Sequence, residues 1–331
     1  MSVAIVIVNF NGWDDTQRCL RSLYQAKAEA LIIVIDNASE DDRCAQLQSE
    51  FPGLIIQRNH RNGGWAGGNN AGIKLALAYG AESIILLNND TIVAPDFVPQ
   101  LARAAVANPS YGIIGPIINS LERPAELMTD GCQFNRRGRD GFMQRVPVPT
   151  ALGNHDVPPA EVEIVNGCAM LIRRSVIESI GLIDERFFLV HEESDFCLRA
   201  RRAGFRCGIL PLVLVWHKGS SSFQRTGKKL QRYYDSRNLL LLLCKHPNRP
   251  GQRSRLPALL AYLRYIYHRY QLEREGGSAE SAQAVVDGFY DGIRRWYGPR
   301  SNMRRLGVSV LRGCFNAAAW VRQHIPMRQG V

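Results

Sequence analysis

The chain has 331 residues, of which 46% are hydrophobic and 21% charged; this length and balance exclude a disordered chain and allow one large domain with an appendage, or two smaller domains. Its net charge of +11 is concentrated in residues 249–331, where 14 arginines, no lysine and 5 acids leave +9, a surface suited to nucleic acid, anionic lipid or phosphorylated substrates. Nucleic acid is disfavoured by the lack of zinc-finger spacing, stacking-aromatic motifs or a recognition helix, and no apolar run reaches membrane-spanning length.

Residues 1–9 are apolar with no basic start, so they predict a first strand and no signal segment. VAIVIV (3–8), LIIVI (31–35), LIIQ (54–57) and SIILL (83–87) read as near-continuous apolar strands, the pattern of a parallel sheet covered on both faces. Helices are predicted between them at 14–26, 41–50 and 69–79. Right-handed crossovers in such a βαβ series gather the strand C-termini on one rim. Asn9 and Asn11, Asp36 and Asn37, Arg58 and Asn59, and Asn88 to Asp90 follow successive strands. Ligands of open α/β sheets bind beyond strand C-termini, so four polar rims mark a crevice.

A further helix is predicted over 95–107, with Pro95 and Asp96 at its first turn. Residues 131–146 resemble a hairpin, and 162–172 an edge or mixed-sheet strand interrupted at Asn166–Met170. Ser194 to Gly204 combines a Ser N-cap, an apolar stripe at Phe196, Leu198 and Ala200, and a terminating glycine. Residues 207–217 return to strand composition, although Pro211 disfavours one uninterrupted central strand. A long helix at 228–244 precedes a Pro-Arg breaker, and helical patterns at 256–274, 280–297 and 303–323 follow. The expected division is a domain over 1–245 and a basic helical appendage over 246–331. Eight scattered cysteines with no C-x-x-C pair suit reduced thiols in a cytoplasmic setting.

The loop NHRNGGWAGGNNAG (59–72) carries glycines 63, 64, 67 and 68, whose backbone freedom, with the following helix terminus, suits an anion. It has neither the G-x-G-x-x-G of a dinucleotide fold after the first strand nor a P-loop ending. Asp36 can accept hydrogen bonds from a base or sugar. Asp90 offers a hard oxygen to Mg2+ or Mn2+, and the neutral Asn88 leaves a two-carboxylate clamp incomplete. His217, closing an apolar strand, can add an imidazole. In HEESDF, Glu192, Glu193 and Asp195 either cap a helix N-terminus, with Asp195 and Arg199 paired at i and i+4, or supply a general base. Spacing does not choose between Glu192 and Glu193.

In order, VAIVIVNFNG, VIDNASEDD, NGGWAGGNNAG, LLNNDT, NGCAMLIRR, ERFFLVHEESDFCLRARRAG, WHKGSSS and YYDSRN resemble an inverting family 2 glycosyltransferase of the GT-A fold, especially the bacterial rhamnosyltransferase-like branch, over residues 1–245. The resemblance implies an α/β fold: a Rossmann-like, mixed-sheet nucleotide-sugar transferase domain with a C-terminal helical appendage. It implies a nucleotide pocket at Asn9 and Asp36, extended by the rim residues Asn37 and Asn59. Gly67 and Gly68 would shape the donor site beside Asn69, with Asn88 and Asn89 leading into it. Asp90 matches the last acid of the DxD-type metal motif, and His217 the family's metal-coordinating histidine. Glu192 matches the first of the family's paired acids; Glu193 takes the place of the usual catalytic Asp and is the expected base; Asp195 orients the site.

The implied donor is dTDP-L-rhamnose, with UDP-sugars as alternative, and the implied cofactor is Mg2+ or Mn2+. The acceptor would be a saccharide or lipid-linked glycan in cell-surface polysaccharide synthesis. A catalytically impaired nucleotide-sugar-binding protein and a nucleotidyltransferase are the competing readings. The tail helices are expected to pack on the domain or in a homo-oligomer, or to lie on an anionic membrane surface. The expected location is cytoplasmic, peripheral to the inner face of the membrane.

Overall fold

The computed structural model describes residues 2–135, 141–151, 157–219, 228–247, 256–300, 308–313, 315 and 316. Two compact units are present: Met1–Phe134 with Met143–Ser222, and Asn135–Phe142 with Phe223–Val331.

The first unit is built on a ten-stranded mixed sheet. Its parallel half comprises β1 (Val3–Asn9), β2 (Leu31–Asp36), β3 (Ile55–Arg58) and β4 (Ser83–Asn88), connected by α1 (Trp13–Gln25), α2 (Cys44–Glu50) and α3 (Gly64–Ala78). β1, β2 and β4 are apolar on both faces because helices cover both, whereas β3, at the sheet edge, has Ile55 and Ile56 half-buried and Gln57 and Arg58 exposed. Ala4, Ile5, Val6 and Ile7 are all wholly buried.

The mixed half contains β5 (Thr91–Val93), α4 (Phe97–Ala107), β6 (Tyr111–Ser120), β7 (Leu127–Thr129), β10 (Ala160–Val162), β11 (Ala169–Arg173), α5 (Arg174–Ile180), α6 (Glu192–Arg202) and β12 (Arg206–His217). β11 runs antiparallel between β4 and β6, β12 lies parallel to β6, and β5 lies antiparallel to the end of β12. The expected hairpin is a separate two-stranded sheet, β8 (Gly131–Phe134) with β9 (Met143–Val146).

Three expectations change. The glycine loop belongs to α3, which begins at Gly64 with Gly63 as its N-cap, five residues before the predicted start. A Cβ on Gly68 or Gly72 would sit 2.6 Å from Val8 Cγ1 or 2.1 Å from Val6 Cγ1, so these glycines let α3 lie close against β1. The stretch around Pro211 is one strand, β12, and the proline falls where its register with β6 shifts between Leu210 and Val213; an irregularity absorbs the missing N–H. Finally, α6 starts at Glu192 with His191 as N-cap, so Ser194 lies inside the helix.

The second unit contains α7 (Lys228–Lys245), α8 (Leu256–Glu275) and α9 (Ala279–Ile293). α7 lies within this unit. Tyr233 donates to Asp291 Oδ2 at 2.6 Å, Ser236 Oγ to the Val285 carbonyl at 2.8 Å, and a Cβ on Gly288 would lie 2.2 Å from the Tyr233 carbonyl. Most of the helix expected at 303–323, and Ser220 to Ser222 of WHKGSSS, lie outside the described residues.

Candidate active site

After β4 the chain turns through Asn89 and Asp90 and returns as β5, whose Thr91 pairs with His217 at the end of β12. This reversal sets Asp90 Oδ1 2.9 Å from His217 Nε2, with Asn88 Nδ2 3.5 Å from the same nitrogen. The Lys218 N–H donates to the Asp90 carbonyl at 3.0 Å and locks the turn. Asn89 is used differently: its amide donates to Thr16 Oγ1 at 3.0 Å and to the Gly12 carbonyl at 3.3 Å, bracing the turn on α1.

Asp90 and His217 are 7% and 9% exposed, so their pairing lies in a medium of reduced polarity. Burial works against a charged imidazole here, but the adjoining Cys168 and Asp90 outweigh it and raise His217 to about 10. Burial pushes the Cys168 thiol itself upward. Among the described residues no group of three or more His, Cys, Asp or Glu is placed to hold a metal ion. A cation that displaces the His217 proton would find two donors from the protein, a carboxylate oxygen and an imidazole nitrogen. That set fits a divalent cation that fills its remaining positions with phosphate oxygens and water.

Trp65 connects this corner to the acidic helix. Its Nε1–H donates to Asn88 Oδ1 at 3.1 Å. A Cβ on Gly167 would lie 2.9 Å from Trp65 Cζ2 and 3.2 Å from Glu193 Cβ, so indole and Glu193 meet at a position only glycine leaves open. The approach to α6 is held in left-handed backbone: φ is 64° at Phe188, 70° at Val190 and 73° at His191. Such values are costly for bulky and β-branched residues. The Phe188 carbonyl accepts the Ala66 N–H at 3.4 Å, and a Cβ on Gly64 would come within 2.2 Å of that oxygen. The start of α3 and the approach to α6 are therefore fitted to each other.

The three acids of α6 have different surroundings. Glu192 is 5% exposed, its Oε2 is buried with no hydrogen-bond partner, and burial, with the nearby Glu193 charge, holds its carboxyl well above the usual range. Glu193 is half-buried and accepts the Ser194 hydroxyl at 3.0 Å. Asp195 is wholly buried and takes Arg199 Nε at 2.9 Å, while the same guanidinium donates to the carbonyls of Ile180 and Leu182. It ties α6 to the turn after α5.

On the other strand ends, Asn9 is wholly buried: its amide donates to Asp36 Oδ1 at 3.1 Å and Ser39 Oγ at 3.0 Å, and its oxygen accepts from the Gly12 N–H and the Thr16 hydroxyl. Asp36 also meets Arg58 Nε at 3.3 Å. Asn37 accepts from Asn59 Nδ2 and the Gly63 N–H, both at 3.1 Å, and donates to Asn62 Oδ1 and the Gly64 carbonyl. This amide network joins the ends of β1, β2 and β3 to the start of α3. Asn69 donates to the Trp65 carbonyl one turn back, and a Cβ added to Gly67 would come within 3.8 Å of the Glu185 carboxylate. Trp65, Gly167 and Cys168 escaped the sequence reading. The one available signal was a large indole set among four glycines.

Residues 4–181, more than half of the chain, match the profile of glycosyl transferase family 2. The chain is a family 2 glycosyltransferase. The transferase is 30% identical over 248 residues to a low-salt glycan biosynthesis hexosyltransferase of Haloferax volcanii, covering 72% of this chain and 74% of that one. It is 26% identical to a dTDP-rhamnosyl transferase of Shigella flexneri, covering 65% and 71% respectively. With an N-acetylglucosaminyl-diphospho-decaprenol L-rhamnosyltransferase of Mycobacterium tuberculosis it shares 24% identity, over 72% of this chain and 83% of the relative.

Two solved structures share the GT-A fold. One is the mannosyltransferase PcManGT from Pyrobaculum calidifontis in complex with GDP-Man and Mn2+, with TM-score 0.52, 14% identity and coverage of 97% of this chain and 81% of that one. The other is GalNAc-T7 with UDP, GalNAc and Mn2+, with TM-score 0.56, 15% identity and coverage of 84% and 58%.

Proposed function

We propose that the transferase moves L-rhamnose from dTDP-L-rhamnose to a hydroxyl of a saccharide or lipid-linked glycan, with inversion at the anomeric carbon. The observation that carries the reading is the continuous arrangement Asp90–His217, Asn88–Trp65 and Gly167–Glu193, which brings a carboxylate–imidazole pair near a half-buried carboxylate and supports a metal corner beside a base. The rhamnose assignment is supported by the two relatives named as rhamnosyltransferases, one of which carries a diphospho-decaprenol acceptor in its name.

Asp90 and His217 would hold Mg2+ or Mn2+, with Asn88 and Asn89 shaping the turn. A bound divalent ion supplies charge neutralisation to a departing nucleoside diphosphate. Glu193 takes the acceptor hydroxyl proton as its oxygen attacks the anomeric carbon; the electron pair of the breaking bond leaves with the diphosphate. Glu192, kept protonated by burial, adds no second negative charge next to the base. Asp195 fixes the helix through Arg199. Asp36 would receive the base or sugar of the nucleotide, with Asn9, Asn37 and Asn59 fixing that edge; Gly67, Gly68 and Asn69 would border the donor.

The test is incubation of the full chain with Mn2+ or Mg2+, a panel of dTDP- and UDP-sugars, and saccharide and lipid-linked acceptors. Transfer from dTDP-L-rhamnose that disappears in Glu193→Gln supports the reading. Transfer from a UDP-sugar alone moves the donor assignment. Binding without turnover would identify an impaired nucleotide-sugar-binding protein, and pyrophosphate release from a nucleoside triphosphate a nucleotidyltransferase.

A further inference from the structure

Within the second unit, α8 buries one stripe and leaves another bare. Tyr262, Ile266, Tyr270 and Glu273 are buried, whereas Leu256, Leu259, Leu260 and Leu263 are 58%, 42%, 47% and 39% exposed. The latter four have i, i+3, i+4, i+7 spacing, so they form one apolar ridge. Burial does not explain it, because the buried stripe already docks the helix: the Tyr262 hydroxyl donates to the Ser236 carbonyl at 2.8 Å, and its ring lies 5.9 Å from that of Phe289.

The end of α9 carries further exposed apolar side chains. Three residues, Gly276 to Ser278, join α8 to α9, so the chain doubles back, and the Tyr262–Phe289 contact sets its register. Beyond Phe289, toward the end of α8 that carries the leucine ridge, Ile293 one turn on and Trp296 just past the helix end are 55% and 47% exposed. Arg264, Arg294 and Arg295 are exposed beside them, and the Arg294 guanidinium stands 5.3 Å from the Trp296 ring centroid. Neither Leu256–Gln271 nor Ile293–Arg300 contains a carboxylate.

We infer that this end of the α8–α9 hairpin docks on the surface of an anionic phospholipid bilayer. Leucines and Trp296 enter the headgroup boundary, and the arginines meet lipid phosphates. The charge decides between a membrane and a second copy of the chain: an isologous dimer through this face would set Arg264, Arg294 and Arg295 against themselves with no acid in Leu256–Gln271 or Ile293–Arg300 to answer them. No described helix is long and apolar enough to cross a membrane, so docking here is lateral. The inference gives the lipid-linked-acceptor reading a surface on which to work, and its test needs no transfer reaction.

The full chain is sedimented with vesicles of phosphatidylcholine alone and of phosphatidylcholine with phosphatidylglycerol. Binding is expected to the anionic vesicles, to weaken with added salt, and to fall at least about fivefold in Arg294→Gln/Arg295→Gln and in Leu259→Ser/Leu263→Ser. Circular dichroism checks folding, and the arginine pair alone carries the test if the serine pair does not fold. The inference is overturned if the wild type stays in the supernatant, if the variants bind anionic vesicles like the wild type, or if the same substitutions convert a dimer into a monomer in sedimentation velocity without changing vesicle binding.

Discussion

Asp90 Oδ1 and His217 Nε2 stand 2.9 Å apart although 127 residues separate them in the chain. The contact exists because β5 reverses immediately after the turn that carries Asp90 and pairs with the last residues of β12. Replacing Asp90 by Ala should reduce divalent-ion-dependent transfer far more than Asn89→Ala, which removes only hydrogen bonds to α1. Asp90→Ala and His217→Ala should also be non-additive, the double variant resembling the worse single. Titration calorimetry with Mn2+ and initial rates read both effects; equal losses at Asp90 and Asn89 would remove the proposed division of labour.

Adjacent glutamates in unlike environments should separate in function. Glu193→Gln is expected to lower kcat by about 100- to 10,000-fold with donor binding retained. Glu192→Gln keeps the neutral form that burial already imposes and should stay within about tenfold of the wild type. The reverse ranking in kcat would transfer the base to Glu192.

The same buried carboxyl makes stability depend on pH. Burial raises Glu192 in the folded state, so its contribution is complete below the unfolded value of about 4.3 and declines as pH rises through the folded value. Glu192→Gln has no proton to lose. Its melting temperature should exceed that of the wild type by a margin that grows from acid to alkaline pH. A margin constant across the range would mean that Glu192 does not titrate there.

Neighbouring glycines of α3 should respond oppositely. Gly72→Ala drives a methyl to 2.1 Å from Val6 Cγ1 and is expected to destabilise by about 1 to 3 kcal/mol. Gly67→Ala meets nothing closer than 3.8 Å and sits inside a helix, so it should melt at or slightly above the wild type. If Gly67 borders the donor, that stable variant should bind nucleotide-sugar less tightly, a loss that denaturant melts with and without dTDP-L-rhamnose would expose.

Much of this protein could be read from its residues in order. Continuous apolar runs at β1, β2 and β4 require a sheet covered on both faces, because only such a sheet buries every side chain of a strand; β3 has the same apolar start but lies half-open at the sheet edge, which its sequence does not show. The polar residues that end each run must then gather on one rim, and the ordered motifs name the family. Local pattern misjudged α3, where glycine signalled a loop; the real requirement was close approach to Val6 and Val8, a contact between segments distant in sequence. The tertiary structure alone decided that Trp65 bridges Asn88 to the neighbourhood of Glu193, that Glu192 is sealed while Glu193 remains half-open, and that α7 folds with the tail helices. Periodicity records which side of an element is apolar; burial, and with it the protonation of a carboxyl, is set by which other element arrives to cover it.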